Sequence, residues 1–239
     1  MAVRALVFDV FGTLVDWRSG VAEAFRASGV KGGAGDLADD WRARYRPILA
    51  EVNEGERPWD NFDELHLVTL GDLLAERGQD LPVEERHRLV EAWHCLDPWP
   101  DVQAGLEALR RRRVVATLSN GHVALLVDLA RHGDLRFDCI LSAELARMYK
   151  PAPAAYLMAA RLMGVEAGEL MLVAAHGWDL EGARCWLADG VRRPAAGVRA
   201  WHRCPRASGC RRVGHRPGRA GGAPAPLTPD VSARRPTGG

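Results

Sequence analysis

The period of the hydrophobic pattern changes along the chain. Residues 3–8 form a short β-prone run ending at Asp9, and comparable runs lie at 114–118, 137–141 and 170–174. Short apolar runs separated by helix-like stretches predict strands buried on both faces of a parallel sheet, and their alternation with helices predicts a doubly wound, Rossmann-like α/β core. Between the first two runs the texture differs. Segments near 19–28, 38–52, 62–77 and 83–95 have helical spacing, broken at Gly32-Gly33, Pro58 and Leu81-Pro82. Residues 16–98 are therefore expected to form an inserted helical cap above the sheet's active edge, with 1–15 and 99–189 as the core domain. Residues 101–112 predict one more helix, whose end at Arg110-Arg111-Arg112-Arg113 suits a solvated, dipole-stabilised C-terminus.

Composition narrows the function classes. With 47% hydrophobic residues, 26% charged residues and a formal charge of +1, the chain has no global attraction for nucleic acid or anionic membrane. The N-terminus passes directly into a strand, unlike a signal peptide, and no apolar run approaches the roughly 18 residues of a membrane span. A cytoplasmic location with no membrane partner is expected. Five scattered cysteines without a CxxC pair read as unpaired thiols. The stretch 190–239 is anomalous: eleven arginines face a single acid, Asp230, and few large aliphatic residues remain. Such a composition cannot offset chain entropy, so disorder is expected beyond about residue 190. No nucleic-acid partner is expected; an Arg-rich binding arm is the alternative reading of the tail.

In an open α/β sheet, ligands bind beyond the carboxyl ends of the strands. Here those ends deliver Asp9, Ser119-Asn120 and the segment 176–179. A carboxylate at a strand end, followed by Gly12 and Thr13 in a loop rich in backbone N–H groups, can be held ionised as a nucleophile. Taken alone, an Asp at a strand end reads by default as a capping residue.

The string Phe8-Asp9-Val10-Phe11-Gly12-Thr13-Leu14 is more specific, and three further motifs follow it in order. They are Leu118-Ser119-Asn120-Gly121, the run Tyr149-Lys150-Pro151 through Tyr156, and the run Val173-Ala174-Ala175-His176-Gly177-Trp178-Asp179 through Arg184. Together they resemble the haloacid dehalogenase (HAD) superfamily, and within it the 2-haloacid dehalogenase branch, over residues 1 to about 188. Phosphatases of this kind usually carry a second acid two residues after the nucleophile, which protonates an alcohol leaving from phosphorus. Here that position is Phe11, and a halide leaves without a proton. Where such phosphatases complete a magnesium site with paired acids, this chain offers Asp179 with His176. The expectation is a site with no metal and no cofactor.

The resemblance implies hydrolysis of short 2-haloalkanoic acids to 2-hydroxy acids through an ester on Asp9. It casts Asp179 with Lys150 as the water-activating pair, and Thr13 and Ser119 as hydrogen-bond donors to Asp9 or to the substrate carboxylate. It implies a halide cradle from a cap arginine, Asn120 and an aromatic residue: Trp41-Arg42 resembles the family's dipeptide, with Arg44 and Arg46 close by, and Trp178 is the aromatic candidate, with core filling as its alternative; Tyr156 falls at or beside the site. His176 and Ala174 depart from the Asn and Ser usual in the fourth motif. The substrate partner would be a small haloacid, and the family suggests a homodimer. A small-phosphoester phosphatase and a catalytically impaired truncated homologue stay open as alternatives. After Arg184 the family would add a closing strand and helices, whereas this chain turns Arg-, Pro- and Gly-rich. A reading-frame shift near 185–192 is expected, and the nucleotide sequence tests it.

Overall fold

The structure, a computed structural model, describes residues 2–192 and the pair His202–Arg203. Its centre is a sheet in the order β2-β1-β3-β4-β5. Strands β1 (Ala5–Phe8), β2 (Val114–Thr117), β3 (Leu170–Ala174) and β4 (Ala188–Arg192) run parallel, and the two-residue β5 (His202–Arg203) pairs antiparallel with β4. Successive side chains of β1 alternate between the two faces. Leu6 and Phe8 join one buried cluster with Val115, Leu125 and Leu129, while Ala5 and Val7 join another with Ala116, Leu172, Tyr156 and Leu180. Both faces are thus covered, as the continuous apolar runs require.

Helices α1 (Trp17–Ser28), α2 (Ala34–Ala43), α3 (Tyr45–Glu54), α4 (Phe62–Glu76) and α5 (Val83–Glu91) are inserted between β1 and β2. A 3₁₀ turn (Ala92–Cys95) and α6 (Val102–Arg110) lead into β2. The later helices are α7 (Val123–His132), α8 (Pro153–Leu162) and α9 (Gly177–Ala183). Caps set several boundaries. The Asp16 side chain accepts from Ser19 N to start α1, Asn61 accepts from Asp63 N and Glu64 N to start α4, and Pro153 occupies the first turn of α8. No helix among the described residues is long and apolar enough to cross a membrane.

Four expectations need correction. The single helix read over 38–52 is two, because Pro47 cannot accept a continuous turn: its ring would meet the carbonyl of Ala43, so the chain restarts at Tyr45 with Pro47 in the new first turn. The run 137–141 is no strand. It follows β2 through an isolated Ala116–Cys139 bridge with two main-chain bonds, Asp138 N to Val115 O (2.8 Å) and Thr117 N to Cys139 O (3.3 Å), and side chains take over on either side: Val115 N donates to Asp138 Oδ2, and the Thr117 hydroxyl donates to Leu141 O and accepts from Leu141 N. The sheet also continues past residue 190 through β4, where ladder bonds from main-chain groups need little of the side chains. Finally, Cys185 is disulfide-bonded, whereas Cys95 and Cys139 are free thiols. The rest of the expected tail, 193–201 and 204–239, lies outside the described residues, as do the readings of it as an arm or a frame-shifted segment.

Candidate active site

The three central strands end in register, with Phe8 opposite Thr117 on one side and Val173 on the other. The next residues continue the pairing: Asp9 N donates to Val173 O (3.0 Å) and Leu118 N to Phe8 O (2.7 Å). Asp9 is therefore fixed at the edge where β1 is flanked by both neighbours. The chain then turns at Gly12, whose φ of 77° suits glycine, and returns Thr13 beneath the carboxylate. Thr13 Oγ1 donates to Asp9 Oδ2 (2.7 Å) and accepts from Ala175 N (2.9 Å), which ties the loop after β1 to the loop after β3.

Lys150 enters from the far side. Its buried ammonium donates to Asp9 Oδ1 (3.0 Å), to Leu118 O (2.8 Å) and to Asp179 Oδ2. Asp179, in the first turn of α9, is fully enclosed, and its other oxygen accepts from Tyr156 Oη (2.7 Å). His176 Nδ1 stands 3.2 Å from Asp9 Oδ2. One lysine thus serves two acids. Burial opposes ionisation of Asp9, but Lys150 and the hydrogen bonds from His176 and Thr13 outweigh it and hold the carboxyl below the ordinary carboxylate range. Asp179 is pushed up, by burial first and also by the charge of Asp9, against the pull of Lys150. Lys150 itself is raised, because Asp179 and Asp9 overcome its burial.

Above this group lies an aromatic cage. The Arg42 guanidinium sits 3.9 Å from the ring centroid of Tyr45, 5.3 Å from Trp17, 5.7 Å from Trp93 and 5.9 Å from Phe11. Phe11 stacks on Phe62 and meets Trp93 edge-on. The Arg42 Nη1 group is buried without a hydrogen-bond partner. A buried cationic donor left unpaired beside an ionised carboxylate is suited to receive an anion. A cleft of about 390 Å³, lined by Tyr45, Arg46, Asn53, Lys150 and Trp178 among others, opens alongside.

A family description of haloacid dehalogenase-like hydrolases matches residues 3–185. The chain belongs to that family. An (S)-2-haloacid dehalogenase of Pseudomonas sp. (strain CBS-3) is 31% identical, over 80% of this chain and 84% of the relative. The crystal structure of the L-2-haloacid dehalogenase PA0810 is 42% identical with a TM-score of 0.76, covering 83% of this chain and 89% of that one. The Xanthobacter autotrophicus L-2-haloacid dehalogenase solved with chloropropionic acid covalently bound is 26% identical, with a TM-score of 0.73 and coverage of 80% and 77%. These similarities place the chain in the 2-haloacid dehalogenase branch of the family.

Within this dehalogenase the structure brings Asp9, Thr13, Lys150, Asp179 and His176 into one hydrogen-bonded group, with Tyr156 behind Asp179 rather than beside Asp9. Asn120 holds the site from outside. Its Oδ1 accepts from Lys150 N (2.7 Å), and its Nδ2 donates to Tyr45 Oη (2.9 Å). The Ser119 hydroxyl accepts from Gly121 N at 3.3 Å and makes no described contact with Asp9, which leaves its proton available to a substrate carboxylate. Trp178 is 5.2 Å from the Arg46 guanidinium and 5.9 Å from the His176 ring, at the cleft and away from the Arg42 cage. Sequence reasoning missed Tyr45, Trp17 and Trp93. For Tyr45 a signal existed, since it follows Arg42 by three positions, a spacing that brings helical side chains together. Trp17 stands in Asp16-Trp17-Arg18, directly after the first motif, which was its signal, whereas Trp93 reaches the cage from the 3₁₀ turn and carried none.

Proposed function

We propose that this dehalogenase hydrolyses short 2-haloalkanoic acids to 2-hydroxy acids, with Asp9 as nucleophile. The observation that carries the reading is Phe11. Where an alkoxide leaving group would need an acid, the chain places a buried ring packed against Arg42, Phe62 and Trp93. A proton-independent leaving group fits that position, and halide is such a group.

In the first step an Asp9 oxygen attacks the halogen-bearing carbon from behind, the C–O bond forms as the carbon–halogen bond breaks, and the electron pair leaves with the halide. Inversion at carbon follows. Arg42 receives the departing halide in the aromatic cage, and Asn120 secures the surrounding loop. Esterification removes the charge of Asp9, so Lys150 is left paired with Asp179 alone. Water then attacks the Asp9 ester carbonyl and Asp179 takes its proton; as the adduct collapses Asp179 returns that proton to the departing alkoxide oxygen, which releases the 2-hydroxy acid, and the regenerated Asp9 carboxyl loses its own proton to solvent. Thr13 and His176 orient the Asp9 carboxylate, and Tyr156 orients Asp179. The inserted helices, residues 16–98, act as the cap that keeps bulk water from the ester. A homodimer and a cytoplasmic location belong to the same reading.

A halide-release panel over chloro-, bromo- and fluoroacetate and both 2-chloropropionate enantiomers, run with EDTA, tests the proposal. Halide release is expected in EDTA, with no phosphate release from small phosphoesters under magnesium. Asp9→Asn is expected to abolish turnover in a folded protein. Residual halide release by that variant would exclude Asp9 as the nucleophile.

A further inference from the structure

Away from Asp9, a second group of titratable side chains meets where the inserted helices adjoin the sheet domain. Asp63 lies in the first turn of α4, His94 in the 3₁₀ turn before α6, and His122 immediately before α7. One ligand atom from each lies within 4.8 Å of the other two. His94 Nε2 is 3.2 and 3.0 Å from the two Asp63 oxygens, and His122 Nε2 is 3.5 Å from Asp63 Oδ2. Metal–ligand bonds of about 2.0–2.1 Å in tetrahedral geometry put neighbouring ligand atoms roughly 3.3 Å apart, so these two spacings match edges of such a polyhedron.

Two independent features point to an ion. The first is the state of His122, whose side chain is only 12% exposed. Its Nδ1 is buried without a partner, and its Nε2 faces Asp63 without forming a hydrogen bond among the described contacts. An ion between Nε2 and Asp63 would give that nitrogen the partner it lacks, while Nδ1 would stay as it is. The second is the outer partner of His94: its Nδ1 is 2.7 Å from Asp128 Oδ2 on α7. A carboxylate on the outer nitrogen is the usual second partner of a metal-bound histidine, and the metal would take the place of the proton that Nε2 now shares with Asp63. Asp63 and Asp128 supply two negative charges to balance a dication. A cavity of about 700 Å³, lined by Asp63, Glu64, His87, His94 and Asp128 among others, gives water access to a remaining coordination position.

We propose that Asp63, His94 and His122 form a binding site for a divalent transition metal of the zinc class, which staples the inserted helices to the sheet domain. Two imidazoles and one carboxylate suit zinc better than magnesium or calcium, which prefer oxygen ligands alone. Two ligands come from the inserted region and the third from the start of α7, two residues after Asn120. The ion therefore joins the two parts of the molecule without touching Asp9, and takes no part in carbon–halogen cleavage.

Calorimetric titration of the EDTA-stripped full chain with zinc chloride tests this. One zinc per chain is expected, with micromolar or tighter affinity, a raised Tm, and no response to magnesium. His122→Ala and His94→Gln should each weaken zinc binding at least tenfold, and Asp128→Asn by about 10–100-fold. Circular dichroism and halide release serve as checks that each variant folds. The absence of zinc binding by the wild-type chain overturns the proposal. So does unchanged zinc affinity in either folded histidine variant, which would place the ion elsewhere on the chain.

Discussion

Asp9 and Asp179 share one ammonium, yet their surroundings drive their proton affinities apart, an arrangement that lets one acid stay anionic while the other handles protons. Because Asp9 is depressed, lowering the pH protonates it only beneath the ordinary range. The profile of kcat/KM, which reports the free enzyme, should therefore stay flat down to about pH 4, near the reference value for aspartate. A limb centred at pH 5 to 6, in steady-state halide release corrected for unfolding, would contradict this. Arg42 raises a separate issue. Its planar group lies over Tyr45 and keeps an unpaired Nη1 in the cage. Lysine keeps the charge but not the fork or the stacking, so Arg42→Lys should lower kcat/KM by about 10²–10³-fold, as loss of a donor to developing negative charge does. A change of less than about threefold would remove Arg42 from the halide step.

The elements explain why much of the site was legible. Parallel strands that end in register must bring the residues after them to one edge, so Asp9, Asn120 and Asp179 could be grouped from three separated motifs. What joins those loops laterally was not legible, because it depends on backbone turns and hydroxyl rotation. Ser119 shows this: its position was foreseen, but its hydroxyl accepts from Gly121 N, whereas Thr13 takes the contact with Asp9. The 137–141 run failed for a related reason. Its apolar pattern is strand-like, but only two main-chain bonds reach β2, and the Asp138 and Thr117 side chains satisfy the main-chain groups on either side that a longer ladder would use. The tightest link between element and chemistry is the turn at Gly12. A Cβ there would lie 3.1 Å from His176 Cε1 and 3.3 Å from Trp17 Nε1, at a φ of 77°. Gly12→Ala should destabilise the fold by about 1–2 kcal/mol in urea unfolding and displace His176 from Asp9, with kcat falling. Unchanged stability and kcat together would show that the turn tolerates a side chain.

Across the whole molecule, the inserted helices and the sheet must be held in one relative position, because Arg42 belongs to the first and Asp9 to the second. Two asparagines grip consecutive residues from opposite sides. Asn53 on α3 donates to Tyr149 O (2.9 Å) and accepts from Tyr149 N (2.8 Å), while Asn120 at the sheet edge accepts from Lys150 N (2.7 Å). Tyr149 also donates through its hydroxyl to Asp60 O (2.6 Å), ahead of α4. Asn53 therefore ties the inserted region to the segment that carries Lys150, although no described hydrogen bond joins it to Asp9. Loss of its two hydrogen bonds in Asn53→Ala should lower stability by about 1–2 kcal/mol. Misplacement of a cationic group by a fraction of an ångström affects a reaction more than it affects folding, so kcat should fall by tenfold or more. Asn61→Ala separates the two effects. It removes the α4 cap at a similar stability cost, about 1 kcal/mol, but leaves the Asn53 clasp intact, and should spare kcat. Urea unfolding and steady-state halide release on both variants decide the matter. If the two lose stability and activity in the same proportion, the clasp contributes to folding alone, and some other contact aligns Arg42 with Asp9.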